Sequence, residues 1–164
     1  MATTFIKIAS VTVGSGGAAS MDFTSIPSTY TDLCLMLSAR SSRANTNDTL
    51  TLQLNSTNIT GRRIYSDGST RASDTVPQIL PPAGTSTSNT FGSTTFYIPN
   101  YASTSQYKSV SIDDTMENNA TASYMDLIAG IYSSNSAVTS ITLDVDNGNF
   151  VQYSTATLYG IKNS

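Results

Sequence analysis

The sequence predicts an all-β protein, an antiparallel and jelly-roll-like β-sandwich of about 8–10 strands. Apolar residues alternate with polar ones over short segments, as in residues 50–54 (LTLQL) and 141–145 (ITLDV). β-Branched and aromatic side chains dominate these segments, and no long segment has the three-and-four apolar spacing of a helix. Glycine, asparagine and serine separate the segments at short intervals, which is typical of a sandwich.

Ten segments carry the strand pattern. The Gly14–Gly17 run predicts a hairpin between the first two, because glycine adopts the positive φ of tight turns. Asp146-Asn147-Gly148-Asn149 predicts another hairpin, which makes the last two strands antiparallel neighbours. Pro27 and Pro99 mark strand ends, because proline donates no ladder hydrogen bond. The predicted strands are about 4–13, 18–23, 31–40, 48–55, 62–66, 93–99, 107–112, 122–132, 137–145 and 150–161.

Residues 66–92 interrupt this pattern within what we predict to be one domain, residues 1–164. They hold Pro77, Pro81 and Pro82, three of the five prolines, and a tract of Ser, Thr and Asn. Without apolar periodicity such a segment does not offset its ordering entropy locally, so it should be a long excursion from the sandwich. We expect residues 81–84 either to pack on a neighbouring subunit or to form a mobile surface loop.

Charge is scarce in this polar chain. Charged residues make up 12% of it, where an ordinary soluble domain has about 25%, and nearly a third of the residues are Ser or Thr. The net charge of −3 disfavours nucleic-acid binding, which depends on Lys and Arg. The only basic cluster is Arg62, Arg63 and Arg71, for which a solvated loop is the preferred interpretation over a phosphate site.

The chain has no histidine, which excludes Ser-His-Asp and Cys-His nucleophile pairs and histidine-ligated zinc. Cys34, the single cysteine, lies in an apolar run and is predicted to be a buried, inert thiol. Three carboxylates remain close together in Asp113, Asp114 and Glu117, the residues a glycosidase would use. A turn and cap explains them better, so we expect no enzyme activity and no cofactor.

Two further patterns have a functional interpretation beside a structural one. Residues 144–148 (DVDNG) have oxygen ligands that suit calcium, but the hairpin explains the same residues and they lack the closing glutamate of an EF-hand. Tyr97, Tyr101 and Tyr107 surround the Ile98-Pro99-Asn100 segment and could stack on sugars or fill a subunit contact. Ordinary half-buried tyrosines of a sheet remain the favoured interpretation.

The N-terminal residues resemble neither a targeting signal nor a membrane segment, so we expect synthesis in a cytoplasm. Residues 8–19 (IASVTVGSGGAA) and 22–33 (DFTSIPSTYTDL) resemble small virion proteins of tailed bacteriophages, including marine and cyanobacterial phages. The same resemblance extends to residues 117–122 (ENNATA), 138–143 (VTSITL) and 150–162 (FVQYSTATLYGIK).

This resemblance implies a β-rich structural protein of the virion, commonly trimeric. The leading expectation is a capsid decoration (cement) protein that acts as a homotrimer on the head exterior. Its partners are then the major capsid protein and further copies of itself, with no nucleic-acid or membrane partner. The alternative is a tail-fibre or tail-spike head domain that binds host surface glycan. The resemblance transfers no catalytic, metal-binding or cofactor-binding residue.

Overall fold

The computed structural model describes residues 4–119 and 123–162, which form strands and no helix. The strands are β1 (Phe5–Thr12), β2 (Ser20–Phe23), β3 (Asp32–Ala39), β4 (Leu50–Leu54), β5 (Thr57–Asn58), β6 (Thr60–Ser66), β7 (Arg71–Asp74), β8 (Gly92–Ile98), β9 (Lys108–Glu117), β10 (Ser123–Tyr132), β11 (Ile141–Val145) and β12 (Thr155–Ile161). All ten predicted strands have a counterpart here.

The strands form two antiparallel sheets, which confirms the predicted all-β sandwich. The larger sheet has eight strands in the order β1-β12-β3-β8-β9-β10-β6-β7, and the smaller has four in the order β2-β11-β4-β5. The chain passes between the sheets from β1 to β2, β2 to β3, β3 to β4, β5 to β6, β10 to β11 and β11 to β12. These repeated crossings join the two sheets into one sandwich.

The core lies between the inner faces of the two sheets. Period-two alternation puts every second residue of a strand on the inner face, so β8 and β9 alternate strictly between buried and accessible positions over most of their length. Burial of each large apolar side chain contributes about 1.5–3 kcal/mol. The fully buried side chains include Met21, Leu33, Leu35, Leu50, Leu52, Leu54, Phe96, Ile98 and Phe150.

The first predicted hairpin is wrong, although its turn exists. Gly17 adopts a φ of 71° and donates a backbone hydrogen bond to Gly14. However, β1 pairs with β12 in the larger sheet, whereas β2 pairs with β11 in the smaller one. The turn therefore carries the chain from one sheet to the other. β1 and β2 lie in two sheets that pack face to face, and they are not neighbours within one sheet.

The predicted hairpin between the last two strands is also wrong. β11 pairs with β2 and β4, while β12 pairs with β1 and β3. Neither Asn147 nor Gly148 has the positive φ that a tight hairpin turn requires. Phe150 follows the turn at 0% exposure and forms isolated bridges to Ala18 and Ser41. Burying this ring directs the chain across the core before β12 begins.

The excursion at residues 66–92 is less irregular than predicted. Its first part forms β7, which pairs with β6. Outside the segment, β9 extends to Glu117, beyond the predicted end at 112. The middle part of the segment is buried on its own chain: Ile79 accepts a hydrogen bond from the Leu50 amide, and Pro82 accepts one from the Ser41 amide. The expectations of a neighbouring-subunit contact at 81–84 and of a mobile loop are both wrong for the buried residues Pro81, Pro82 and Ala83.

Close packing at Gly160 of β12 provides a direct test of this architecture. A Cβ added there would overlap the ring carbons of Tyr30, closer than real Cβ contacts come. Gly160→Ala should therefore lower the free energy of unfolding by about 1–3 kcal/mol, the usual cost of overpacking. Gly16→Ala is the matched control, because nothing lies within 4 Å of that position. Equal urea midpoints for the two variants would contradict the packing of Tyr30 on β12.

Candidate functional site

The outer face of the larger sheet carries a contiguous group of exposed apolar side chains. We call Ile64, Met125, Leu127 and Ile131 the apolar stripe; their exposures are 59%, 66%, 53% and 37%. Three of them lie on β10, and Ile64 lies on β6 directly opposite Leu127. A shallow concavity of about 650 Å³ lies over this part of the sheet. Contiguous apolar surface of this kind marks an interaction site more often than single exposed residues do.

Charged side chains flank the apolar stripe with opposite signs on its two sides. On the side of β6 and β7, Arg62 and Arg71 are exposed on the outer face. On the side of β9, Asp113 and Glu117 are exposed on the same face. The register places Leu127 between Asp113 and Ile64, so the polarity runs across the strands. The face is therefore cationic on one flank and anionic on the other.

Hydroxyl groups are frequent on the rest of this outer face, among exposed larger side chains such as Met36 and Tyr97. One row of cross-strand neighbours runs over five successive strands, and each member bears a hydroxyl. The row consists of Thr12, Thr155, Ser38, Ser93 and Thr115, and we call it the hydroxyl row. Such neutral groups offer hydrogen bonds to a partner surface without the desolvation cost of charged groups.

The inner face of the same sheet holds a buried group of charges below the apolar stripe. Asp114 of β9 and Asp126 of β10 are direct cross-strand neighbours, with 1% and 3% exposure. Arg63 of β6, 6% exposed, donates to Asp126 over 2.9 Å, and its Cζ lies 4.1 Å above the Tyr65 ring. Asp114 instead accepts hydrogen bonds from the Leu80 amide and the Thr94 hydroxyl.

Burial governs the protonation of both carboxyls. Desolvation raises the pKa of Asp114, and two hydrogen bonds, from Leu80 and Thr94, oppose that rise. Desolvation also raises the pKa of Asp126 to about 6, against the attraction of Arg63. Oδ2 of Asp126 and Nε of Arg63 are buried without a hydrogen-bond partner. The Asp126 side chain has no exposed surface, so its carboxyl group lies with the Arg63 guanidinium beneath the sheet and not on the apolar stripe.

The structure separates the carboxylates that a glycosidase would have needed together. Asp113 and Asp114 lie in the middle of β9 and not in a turn after it, so the predicted turn and cap at these two residues is wrong. Adjacent residues of a strand point to opposite faces, which leaves Asp113 exposed and Asp114 buried. Glu117 ends β9 and accepts a hydrogen bond from the Asn119 amide.

The predicted solvated loop of Arg62, Arg63 and Arg71 is also wrong. Arg62 and Arg63 lie in β6 and Arg71 in β7. Alternation exposes Arg62 but buries Arg63 against Asp126, with Asp74 Oδ2 3.9 Å from Nη2. The three guanidinium groups therefore face two different sides of the sheet and form no common phosphate site.

The three tyrosines near residues 97–107 do not share one surface. Tyr101 is 1% exposed, belongs to the core and donates its hydroxyl to the Pro27 carbonyl. Tyr97 lies on the outer face and donates to Asp32 over 2.7 Å, a bond that raises the pKa of its hydroxyl. Tyr107 is 55% exposed in the connection before β9. They therefore offer no joint stacking platform for a sugar.

The single cysteine and possible metal-binding groups are the remaining candidates from the sequence. Cys34 is buried, as predicted, and burial raises the pKa of its thiol. Within residues 4–119 and 123–162, no group of three or more His, Cys, Asp or Glu side chains is placed to hold a metal ion. The described residues also contain no helix long and apolar enough to cross a membrane.

Sequence reasoning missed the apolar stripe, although β10 carries a signal for it. The run Leu127-Ile128-Ala129-Gly130-Ile131-Tyr132 has no polar residue, so apolar side chains occur on both faces of the strand. Such a run usually indicates a strand covered on both sides. Here only the inner face is covered by the chain itself.

The chain matches no protein-family model, no curated protein and no solved structure.

Proposed function

We propose that this chain is a structural protein of a tailed-bacteriophage virion, a capsid decoration (cement) protein that binds the head exterior and reinforces contacts between major capsid proteins. The resemblance of residues 8–19, 22–33, 117–122, 138–143 and 150–162 to small virion proteins supports this proposal. The proposal assigns the chain no catalytic activity, and it leaves the protein free of cofactors.

The observation that carries the proposal is the uncovered outer face of the eight-stranded sheet. A protein that works by adding contact area needs a broad surface, and five of the eight strands present the neutral groups of the hydroxyl row on this face. Low charge also limits repulsion among many copies crowded on one shell. In this proposal the hydroxyl row faces the capsid.

The internal roles of the charged residues are consistent with a binding protein. Arg40, Arg63 and Lys108 are buried cations that bond to backbone carbonyls or to a carboxylate of the same chain. Asp114 is similarly bound inside the sheet. These groups stabilise the fold, and they are not free to transfer protons to a substrate.

The test uses phage particles that lack this protein, to which purified protein is added back. We expect saturation at hundreds of copies on the capsid faces, and DNA release on heating at a higher temperature than in bare particles. The double variant Ser38→Arg, Ser93→Arg should bind at least about tenfold fewer copies, because it puts two bulky cations in the hydroxyl row. Asn147→Arg, in an exposed turn elsewhere, is the matched control.

Location and copy number on the particle decide the outcome. A few copies confined to the tail vertex would contradict decoration of the capsid. Equal temperatures of DNA release with and without the protein would contradict reinforcement. Unchanged binding of the Ser38 and Ser93 variant would reject the hydroxyl row as the capsid contact.

The tail-fibre alternative has less support from the described residues. Glycan stacking would need accessible aromatic rings held together, whereas Tyr101 lies in the core and Tyr97 and Tyr107 belong to separate segments. Binding to host glycans on an array, together with a position at the tail, would favour the alternative over decoration.

A further inference from the structure

We propose that the apolar stripe is a contact between two copies of this chain, formed face to face with two-fold symmetry. This inference goes beyond the capsid contact proposed above, because it uses a different part of the outer face. It concerns β6, β7, β10 and the charged residues of β9, whereas the hydroxyl row crosses β1, β12, β3 and β8 and ends at Thr115 of β9, beside Met125.

The apolar content of the surface supports a protein partner. Among the described residues, ten large apolar or aromatic side chains are exposed, and four of them form the apolar stripe. Leu127 and Ile64 are direct cross-strand neighbours, Met125 precedes Leu127 on the same face of β10, and Ile131 follows it beyond Ala129. An apolar centre with a polar rim is the usual composition of a protein–protein contact.

The flanking charges select a second copy of the chain as the partner. A two-fold contact brings each residue of the surface against the same surface of the partner, so the surface must complement itself. With the axis parallel to β10, the flank with Arg62 and Arg71 in one copy faces the flank with Asp113 and Glu117 in the other. An axis across the strands would oppose cations with cations. The charge pattern therefore fits a two-fold axis parallel to β10 and disfavours an axis across the strands.

This arrangement also agrees with the way that sheets pack. Two sheets that pack face to face usually keep their strand directions within about 30° of each other. An axis parallel to β10 aligns the strands of both copies in this manner. Leu127 of one copy then packs near Ile64 of the other, which removes both from water.

Charge reversal tests the contact. Asp113→Arg in one variant, and Arg62→Glu with Arg71→Glu in another, should each weaken self-association at least about tenfold by opposing like charges. When the two variants are mixed, opposite charges meet on both flanks, so a heterodimer should form with restored affinity. Both sets of side chains are exposed on the outer face of the sheet. Lys7→Glu, exposed at the far edge of the same sheet, is the control.

Sedimentation velocity of the purified chain, at micromolar concentrations and at low and physiological salt, gives the readout. A species of twice the 17.3 kDa chain mass, lost in each variant and recovered on mixing, supports the contact. A monomer at all concentrations overturns it, and so does a trimer that the variants leave unchanged. Capsid binding by such a trimer would keep the decoration proposal intact, so the two proposals fail separately.

Discussion

Replacing Arg63 with methionine should lower the free energy of unfolding by about 3–5 kcal/mol at pH 8, the cost of removing one partner from a buried ion pair. The substitution leaves Asp126, and its cross-strand neighbour Asp114, without the guanidinium that lies beside them. Methionine fills much of the space of the arginine stem, so the loss measures charge more than volume. Urea denaturation followed by circular dichroism measures it.

The loss should be smaller at pH 5 than at pH 8. The pKa of Asp126 in the folded protein is about 6, above its ordinary value of 3.8. The contribution of this carboxyl to stability is therefore complete below about pH 4 and is lost as the pH rises through 6. Removing Arg63 raises that pKa further, because the guanidinium favours the charged carboxylate. At pH 5 the carboxyl of the variant is protonated and the missing cation matters less.

Two companion variants make the result specific. Asp126→Asn removes the titrating group, so the loss of stability that wild type shows as the pH rises through 6 should be absent in this variant. The difference in unfolding free energy between the variant and wild type should therefore change between pH 4 and pH 7. Lys7→Met removes an exposed cation of the same sheet and should change stability by less than about 0.5 kcal/mol. A pH-independent loss in the Arg63 variant would show that packing, and not charge, dominates at this position.

Replacing Arg40 with alanine should lower the free energy of unfolding by about 2–4 kcal/mol, because hydrogen bonds to charged groups are among the stronger ones. The Arg40 guanidinium is buried and donates to the carbonyls of Ser86, Thr87 and Thr90 and to the Thr90 hydroxyl. It thus holds the last part of the 66–92 segment on the sandwich. Without it, these four acceptors each lose one hydrogen bond.

Controls for this prediction use the geometry of the guanidinium. Arg40→Lys keeps the charge but not the planar fork, so it should recover only part of the stability. Lys7→Ala, at an exposed position of β1, should change stability by less than about 0.5 kcal/mol. Hydrogen exchange should show faster exchange confined to residues 84–91 in the Arg40 variants. Unchanged exchange there would contradict the tether.

Alternation in the sequence predicted most strands and their inner residues. Leu50, Leu52 and Leu54 face the core as expected, because a period of two allows only one face to be buried when polar residues alternate. The same rule predicted too short a β9, because Asp113 and Asp114 resembled the end of a strand. Two adjacent carboxylates look like a turn unless a neighbouring strand supplies donors for the buried one.

The candidate surface was not predictable in the same way. A sequence identifies Leu127 and Ile131 as apolar, but it does not reveal whether another sheet covers them. That depends on where the four-stranded sheet lies and on which face of the larger sheet the 66–92 segment returns to. The pairing of Arg63 with Asp126 depends likewise on β6 and β10 being neighbours in space, although 63 residues separate these side chains in the chain.

The sequence alone determined that this chain forms antiparallel strands with a low-charge, hydroxyl-rich surface, because both properties follow from residue type and local period. The tertiary structure alone decided which strands pair, since turns as suggestive as Gly14–Gly17 and Asp146–Asn149 cross between sheets. It also decided which charges are internal and which apolar residues remain exposed. Local periodicity specifies the direction of a side chain, whereas burial depends on the non-local element that packs against it.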